Sequence, residues 1–279
     1  MRSVLAFVLS CFLSAAVPAK TQQTQPTQTQ TSRVQSTASQ EAQALGVLDQ
    51  ALVVAGGLPA IRAITDYTAI GNITYHWNSE EQGSVTIQGS GMSQIRIDSS
   101  LPSGEHSEAI HDGQSSRKRP DGTLRQYPPP YPTPSSEAFP YQPPMFPGSF
   151  VIPHEQLAVI VNNPSYSISF KGISQVDGVA VYDIQAQWIL PAQTQPDKMA
   201  EYHTIEIFIN TSTLQIAMTQ DNVPNHIVHR IRYSDYRTVN GVLVPFSIIE
   251  ETGGQKTRDF QLSQISFNRG LQDSAFTIQ

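Results

Sequence analysis

YSDYRTVNGVLVPFSII, residues 233–249, sets an Asn-Gly pair between two runs rich in apolar and β-branched residues. Asn240 and Gly241 both tolerate positive φ, which a two-residue type I′ hairpin demands at both central positions. The stretch therefore predicts two antiparallel strands turning at 240–241 rather than a crossover through a helix. Pro245 constrains the second arm. Having no N–H to give to a ladder, it should sit with its nitrogen toward an unpaired edge or a bulge.

The same period of two extends outward in both directions. Ile73, Tyr75 and Trp77 alternate with Thr74 and His76, Val85 and Ile87 flank Thr86, and Ile95 and Ile97 flank Arg96. Further on, Tyr182, Ile184, Ala186, Trp188 and Leu190 share a face, as do Ile205, Ile207 and Ile209, followed by HIVHRIRY at 226–233. Such alternation marks half-buried strands. Glycine turns at Glu81-Gln82-Gly83, Asp112-Gly113, Asp121-Gly122, Asp177-Gly178 and Gly253-Gly254 separate many of them, so the pattern predicts a meander of sequential antiparallel strands.

Two segments carry a helical period instead. From Ser39, Leu45, Leu48, Leu52 and Ala55 recur on one face until Gly56-Gly57 and Pro59 end the run. A shorter helix is expected in IPHEQLAVIVNNP, entered at Pro153 and stopped by Asn162-Asn163-Pro164. Between the strands, residues 126–147 are dense in proline and interleaved with aromatics, which suits an extended crossing and no central strand. PPPY at 128–131 fits a ligand pattern for aromatic grooves, but short matches of this kind arise often by chance.

The first residues, MRSVLAFVLSCFLSAAVPAK, have one early positive charge, a short apolar core and small residues before Lys20, so a signal peptide over 1–19 is expected. The core is shorter than a spanning helix needs, and a lipoprotein reading from VLSC at 8–11 would shorten it further. Cleavage after Ala19 removes the single cysteine, leaving a fold without disulfides. Residues 20–39, rich in Thr and Gln, read as a disordered linker, and 40–279 as one domain. The net charge of −6 argues against nucleic-acid binding, which needs a basic stripe to neutralise phosphates.

Chemistry is scarce. There is no nucleophile elbow, no H-E-x-x-H and no phosphate loop, so no catalytic residue, metal or cofactor is assigned. His226 and His229 have helical ligand spacing, but on a strand they face opposite ways. His154-Glu155 reads as a solvated first helical turn. Arg117-Lys118-Arg119 precedes a turn, where it blunts strand pairing or touches an anionic lipid surface.

Residues 166–276 resemble a known group. VDGVAVYDIQ at 176–185, IFINTSTLQIAM at 207–218, YSDYRTVNGVLVPFSII and FQLSQISFNRGLQDSAF are similar to the strand and turn elements of periplasmic lipoprotein carriers of the LolA-like family. The resemblance implies a mainly β (α+β) fold: a curved antiparallel sheet forming an unclosed β-barrel, with helices over an apolar cavity that takes up acyl chains of lipids or lipoproteins. It implies a non-enzymatic periplasmic or secreted protein, whose partners are a lipid or other apolar ligand and in some cases an envelope protein. On that fold the expected lining is Ile73, Tyr75, Trp77, Tyr182, Ile184, Trp188, Ile205, Ile207, Phe246 and Ile248. The alternative is an envelope interaction module with a filled barrel and a partner-binding proline-rich loop.

Overall fold

A computed structural model describes residues 29–76, 80–111, 114–127, 147–189, 204–223 and 227–279. The proline-rich stretch 128–146, with PPPY, lies outside them, as do the expected signal peptide, Trp77, Leu190, His226 and the turn expected at Asp112-Gly113; the turn expected at Glu81-Gln82-Gly83 is strand instead, because those residues pair with Tyr75, Thr74 and Ile73. Thirteen strands form one antiparallel sheet. Six run outward from β1 (Asp66–Tyr75) through β2 (Glu81–Ser90), β3 (Gln94–Leu101), β4 (Gly104–His111) and β5 (Gln114–Lys118) to β6 (Leu124–Tyr127). Seven run inward from β7 (Tyr166–Val176) through β8 (Val179–Trp188), β9 (Thr204–Asn210), β10 (Ile216–Val223), β11 (Ile227–Val239) and β12 (Val242–Thr252) to β13 (Gln255–Phe267). Pairing of β1 with β13 joins the two meanders, so β6 and β7 lie at opposite ends of the sheet. That pairing shifts register at Ile70/Gly71, where a side chain on Gly71 would meet the Gln261 carbonyl at 2.2 Å.

The 240–241 turn forms as its residues dictate. Asn240 has φ 49° and Gly241 φ 84°, and Val239 faces Val242 across the hairpin. Its second arm explains Pro245. The β12–β13 ladder begins only at Ser247, whereas Leu243, two residues before the proline, turns its N–H to the Ala55 carbonyl at 2.9 Å. Alternation puts the Pro245 nitrogen on that same unpaired side, so no ladder bond is lost.

Ala55 belongs to the end of the long helix. Helix α1 spans Thr29–Val54, beginning upstream of Ser39, and buries Ala44, Leu48, Ala51 and Leu52. Gly57 N donates to Leu52 O and Gly56 N to Val53 O, with Gly56 at φ 115°, a Schellman closure that only glycine adopts without strain. Two short helices follow, α2 (Leu58–Arg62) and α3 (His154–Ile160). Pro153 caps α3, and Asn163 Oδ1 accepts from Ser165 N just past its end.

These helices, with residues 147–152, cover one face of the sheet, called here the inner face. Helix α1 contacts β7 and α3, α3 contacts α2, and 147–149 contact β2 and β3. The expectation of a curved sheet forming an unclosed barrel is overturned. The strands make a single open sheet with β6 and β7 unpaired to one another. The physical reason lies in the cover, which carries enough apolar side chains (Leu48, Leu52, Val151, Ile152, Leu157, Ile160) to pack against the inner face directly. Among the described residues, one large buried cluster joins the cover to the inner face.

Replacing Gly56 by alanine should destabilise the fold by about 2 kcal/mol, because the new Cβ would lie 2.3 Å from the Gly241 carbonyl at a positive φ. Gly46→Ala, in open space on α1, should stabilise it by about 0.5–1 kcal/mol. Denaturant midpoints of the two variants check the opposite signs.

Candidate functional site

The register places the sequence-derived lining residues on one face. Ile73 pairs with Phe260, Phe260 with Ile248, and Ile248 with Tyr233. Ile184 pairs with Ile207, Ala186 with Ile205, and Tyr182 with Ile209. Phe246 lies two residues from Ile248 and so on the same side. Ile73, Ile184, Ile207 and Ile248 have no exposed surface, and Ile205 and Phe246 are buried. Tyr75 and Tyr182 are half-buried at the margin, and Trp188, near the edge strand, is exposed. Trp77 lies outside the described residues. On the opposite face, Val176, Val181, Phe208 and Met218 form a small separate cluster.

A row of charged side chains crosses the inner face at one end. Asp221 Oδ1 accepts from His229 Nδ1 at 2.8 Å, and Glu250 Oε1 accepts from His229 Nε2 at 2.9 Å. Glu250 also accepts from Arg258 Nε, and Arg258 reaches Glu108 at 3.0 Å, which pairs with Arg117 at 2.9 Å. Most links join cross-strand neighbours, among them Asp221 with His229, Glu250 with Arg258, and Glu108 with Arg117. The Arg258–Glu108 link passes over β1, β2 and β3.

Burial alone would push His229 down, but Asp221 and Glu250 outweigh it and hold the imidazole up at about 10. Burial would raise Glu250, yet Arg258 and His229 hold it well below the usual carboxylate range. With both ring nitrogens donating to carboxylates, His229 has no lone pair to accept a proton and cannot serve as a general base. The arrangement is an electrostatic clamp. Among the described residues, no group of three or more His, Cys, Asp or Glu side chains is placed to hold a metal.

Other sequence-derived candidates resolve differently. Arg117 is tied to Glu108, and Lys118 Nζ donates to the Gln279 carbonyl at 2.7 Å, so both serve the fold. The solvated first turn expected at His154-Glu155 is not found. His154 is 1 % exposed, neither ring nitrogen has a hydrogen-bond partner, and burial pushes its pKa down to about 4. Burial raises the neighbouring Glu155 to about 8. Sequence periodicity could not find this, because a His-Glu pair after a helix-starting proline normally faces water. The turn is buried because the cover lies against the sheet. A recess of about 20 Å³ between β3, β4 and β5, lined by Ile95, Ile97, Glu108 and Ser115, has room for one water-sized group.

Because His229 sits above its ordinary 6.5 when folded, the clamp's contribution is complete below about pH 6.5 and lost as pH rises toward 10. The depressed Glu250 works in the opposite direction. Its contribution is complete above its ordinary 4.5 and lost as pH falls below that value. Unfolding at stepped pH should therefore show a stability plateau with an alkaline decline. His229→Leu should cost about 3–5 kcal/mol at neutral pH and abolish the decline between pH 6.5 and 10.

No family model matches the chain, and no curated protein matches it in sequence. Solved structures match it in fold. A DUF1329 family protein from Desulfovibrio piger aligns at TM-score 0.50 and 11 % identity, over 82 % of this chain and 97 % of the other. A domain from Vibrio parahaemolyticus provisionally assigned to outer membrane lipoprotein sorting aligns at TM-score 0.50 and 9 % identity, over 85 % and 97 %. A LolA superfamily protein from Nitrosomonas europaea aligns at 0.49 and 13 %, over 82 % and 96 %. The likeness is one of fold: a mainly antiparallel sheet with a few helices.

Proposed function

We propose that this chain is an exported, non-catalytic protein that binds a lipid or other apolar ligand against the inner face of its sheet. The observation that carries the reading is how the cover is held. Residues 147–161 meet the sheet chiefly through apolar side chains such as Phe150, Val151, Ile152, Leu157 and Ile160. Their backbone tie to the strand region among the described residues is Gly148 N to Met92 O at 3.0 Å. Segments with few backbone bonds to their neighbours open at low cost. An acyl chain gains about 0.8 kcal/mol for each methylene it buries, so a long one can replace the cover on the surface that the cover now fills. His154 and its neighbours favour the exchange, since each buried polar group left without a partner costs about 1–3 kcal/mol. The Vibrio domain of like fold, assigned to lipoprotein sorting, supports the same class of ligand.

A second reading, an envelope interaction module, is favoured by one observation. The interior is filled, whereas Ile173, Val179 and Trp188 on β7 and β8 are exposed, and an apolar edge of this kind suits a protein partner.

Native mass spectrometry of the chain purified from a secreting host separates the two. Co-purified lipid, together with faster amide exchange across 147–161 when a fluorescent fatty acid is added, is the expected result. Protein free of lipid that takes up no fatty acid would sink the first reading and leave the second.

A further inference from the structure

Between the cover and the inner face lie four side chains with polar atoms that have no partner. Neither nitrogen of His154 is engaged, and the residue is 1 % exposed. Tyr67 and Tyr233, 1 % and 5 % exposed, point their hydroxyls toward the Val151 backbone and the Thr219 side chain without completing a hydrogen bond. Gln156, 3 % exposed, spends Nε2 on Ser149 Oγ at 2.7 Å and leaves Oε1 with nothing. Buried polar atoms almost always find partners in the protein, in ordered water or in a ligand, and several orphans facing one seam give a polar ligand group a place to bind.

The chemistry of that group follows from what surrounds it. Two phenols, a neutral imidazole and an amide oxygen supply both donors and acceptors and no net charge. Tyr236, packed edge-on to His154 at 5.8 Å, already spends its hydroxyl on the Ile216 carbonyl. Glu155 is the acidic group acting on Tyr67, and burial keeps it largely protonated at neutral pH. No cation acts on His154, Glu155 or Tyr67, and Arg237 is committed to Asp235 and to the Phe246 ring at 4.4 Å. An anionic head would find no counter-charge here; Asp221 and Glu250, the carboxylates that act on Tyr233, are already paired with His229 and Arg258, so a cationic head would have to ionise buried Glu155.

We infer that Tyr67, His154, Gln156 and Tyr233 form a seat for the uncharged, hydroxyl-bearing head of an amphiphile such as a monoacylglycerol, with its chain on the apolar inner face. The inference rests on the apolar-ligand reading above and adds the head group to it.

Displacement of the uncharged apolar dye N-phenyl-1-naphthylamine from the mature chain at neutral pH tests it, using monooleoylglycerol, oleate and oleylamine, which share one tail. The glycerol ester should displace the dye at about tenfold lower concentration than either charged lipid, as expected for one or two recovered hydrogen bonds. Tyr67→Phe, which removes a single oxygen, should erase much of that advantage while leaving oleate unchanged; His154→Phe should do the same if it folds. Equal displacement by all three lipids, preference for a charged one, or an unchanged ranking in Tyr67→Phe would overturn the head-group seat while leaving the apolar-ligand reading intact. A chain that binds no dye and no lipid would overturn both.

Discussion

The pairing of β1 with β13 is the constraint from which the rest follows. Residues 200 positions apart in sequence meet there, as Tyr67 does with Phe267, and the close approach depends on Gly71 having no side chain. Once the two meanders are joined at their inner strands, β6 and β7 must lie at opposite ends of the sheet. The chain leaving β6 has to travel to the far edge before β7 can start. Residues 147–165 are the described part of that journey, and 147–161 make it across the inner face. The cover is thus a consequence of strand order, and its apolar side chains are what make the crossing favourable.

The inner face holds two polar groupings that behave in opposite ways. The row from Asp221 to Arg117 is linked from end to end, alternates in sign, and spans both meanders. Removing His229, Glu250 or Arg258 strands a buried charge, so the row locks the sheet. The seam around His154 is the reverse: neutral, buried and short of partners.

Much of the architecture was legible in the chain. The Asn240-Gly241 turn, the place of Pro245 and the end of the long helix at Gly56-Gly57 each follow from the backbone geometry those residues permit. Alternation put Ile73, Ile184, Ile207 and Ile248 on one side because side chains on a strand alternate whatever the sheet does next. Periodicity carries no information about what lies above that side. An open barrel was the natural extrapolation from a run of half-apolar strands and a resemblance to LolA-like carriers, and the packed, covered sheet displaced it.

Local chemistry in the sequence by itself determined the strands, their turns, the helix ends and which side chains share a face, because those depend on neighbours a few residues away. Only the tertiary structure decided that His229 would be clamped between Asp221 and Glu250, that Arg258 would reach Glu108, and that His154 would be buried rather than solvated. Each of these depends on residues brought together from separate strands or from the crossing segment. A burial cost or an opposing charge acts through space, and no spacing along the chain encodes it.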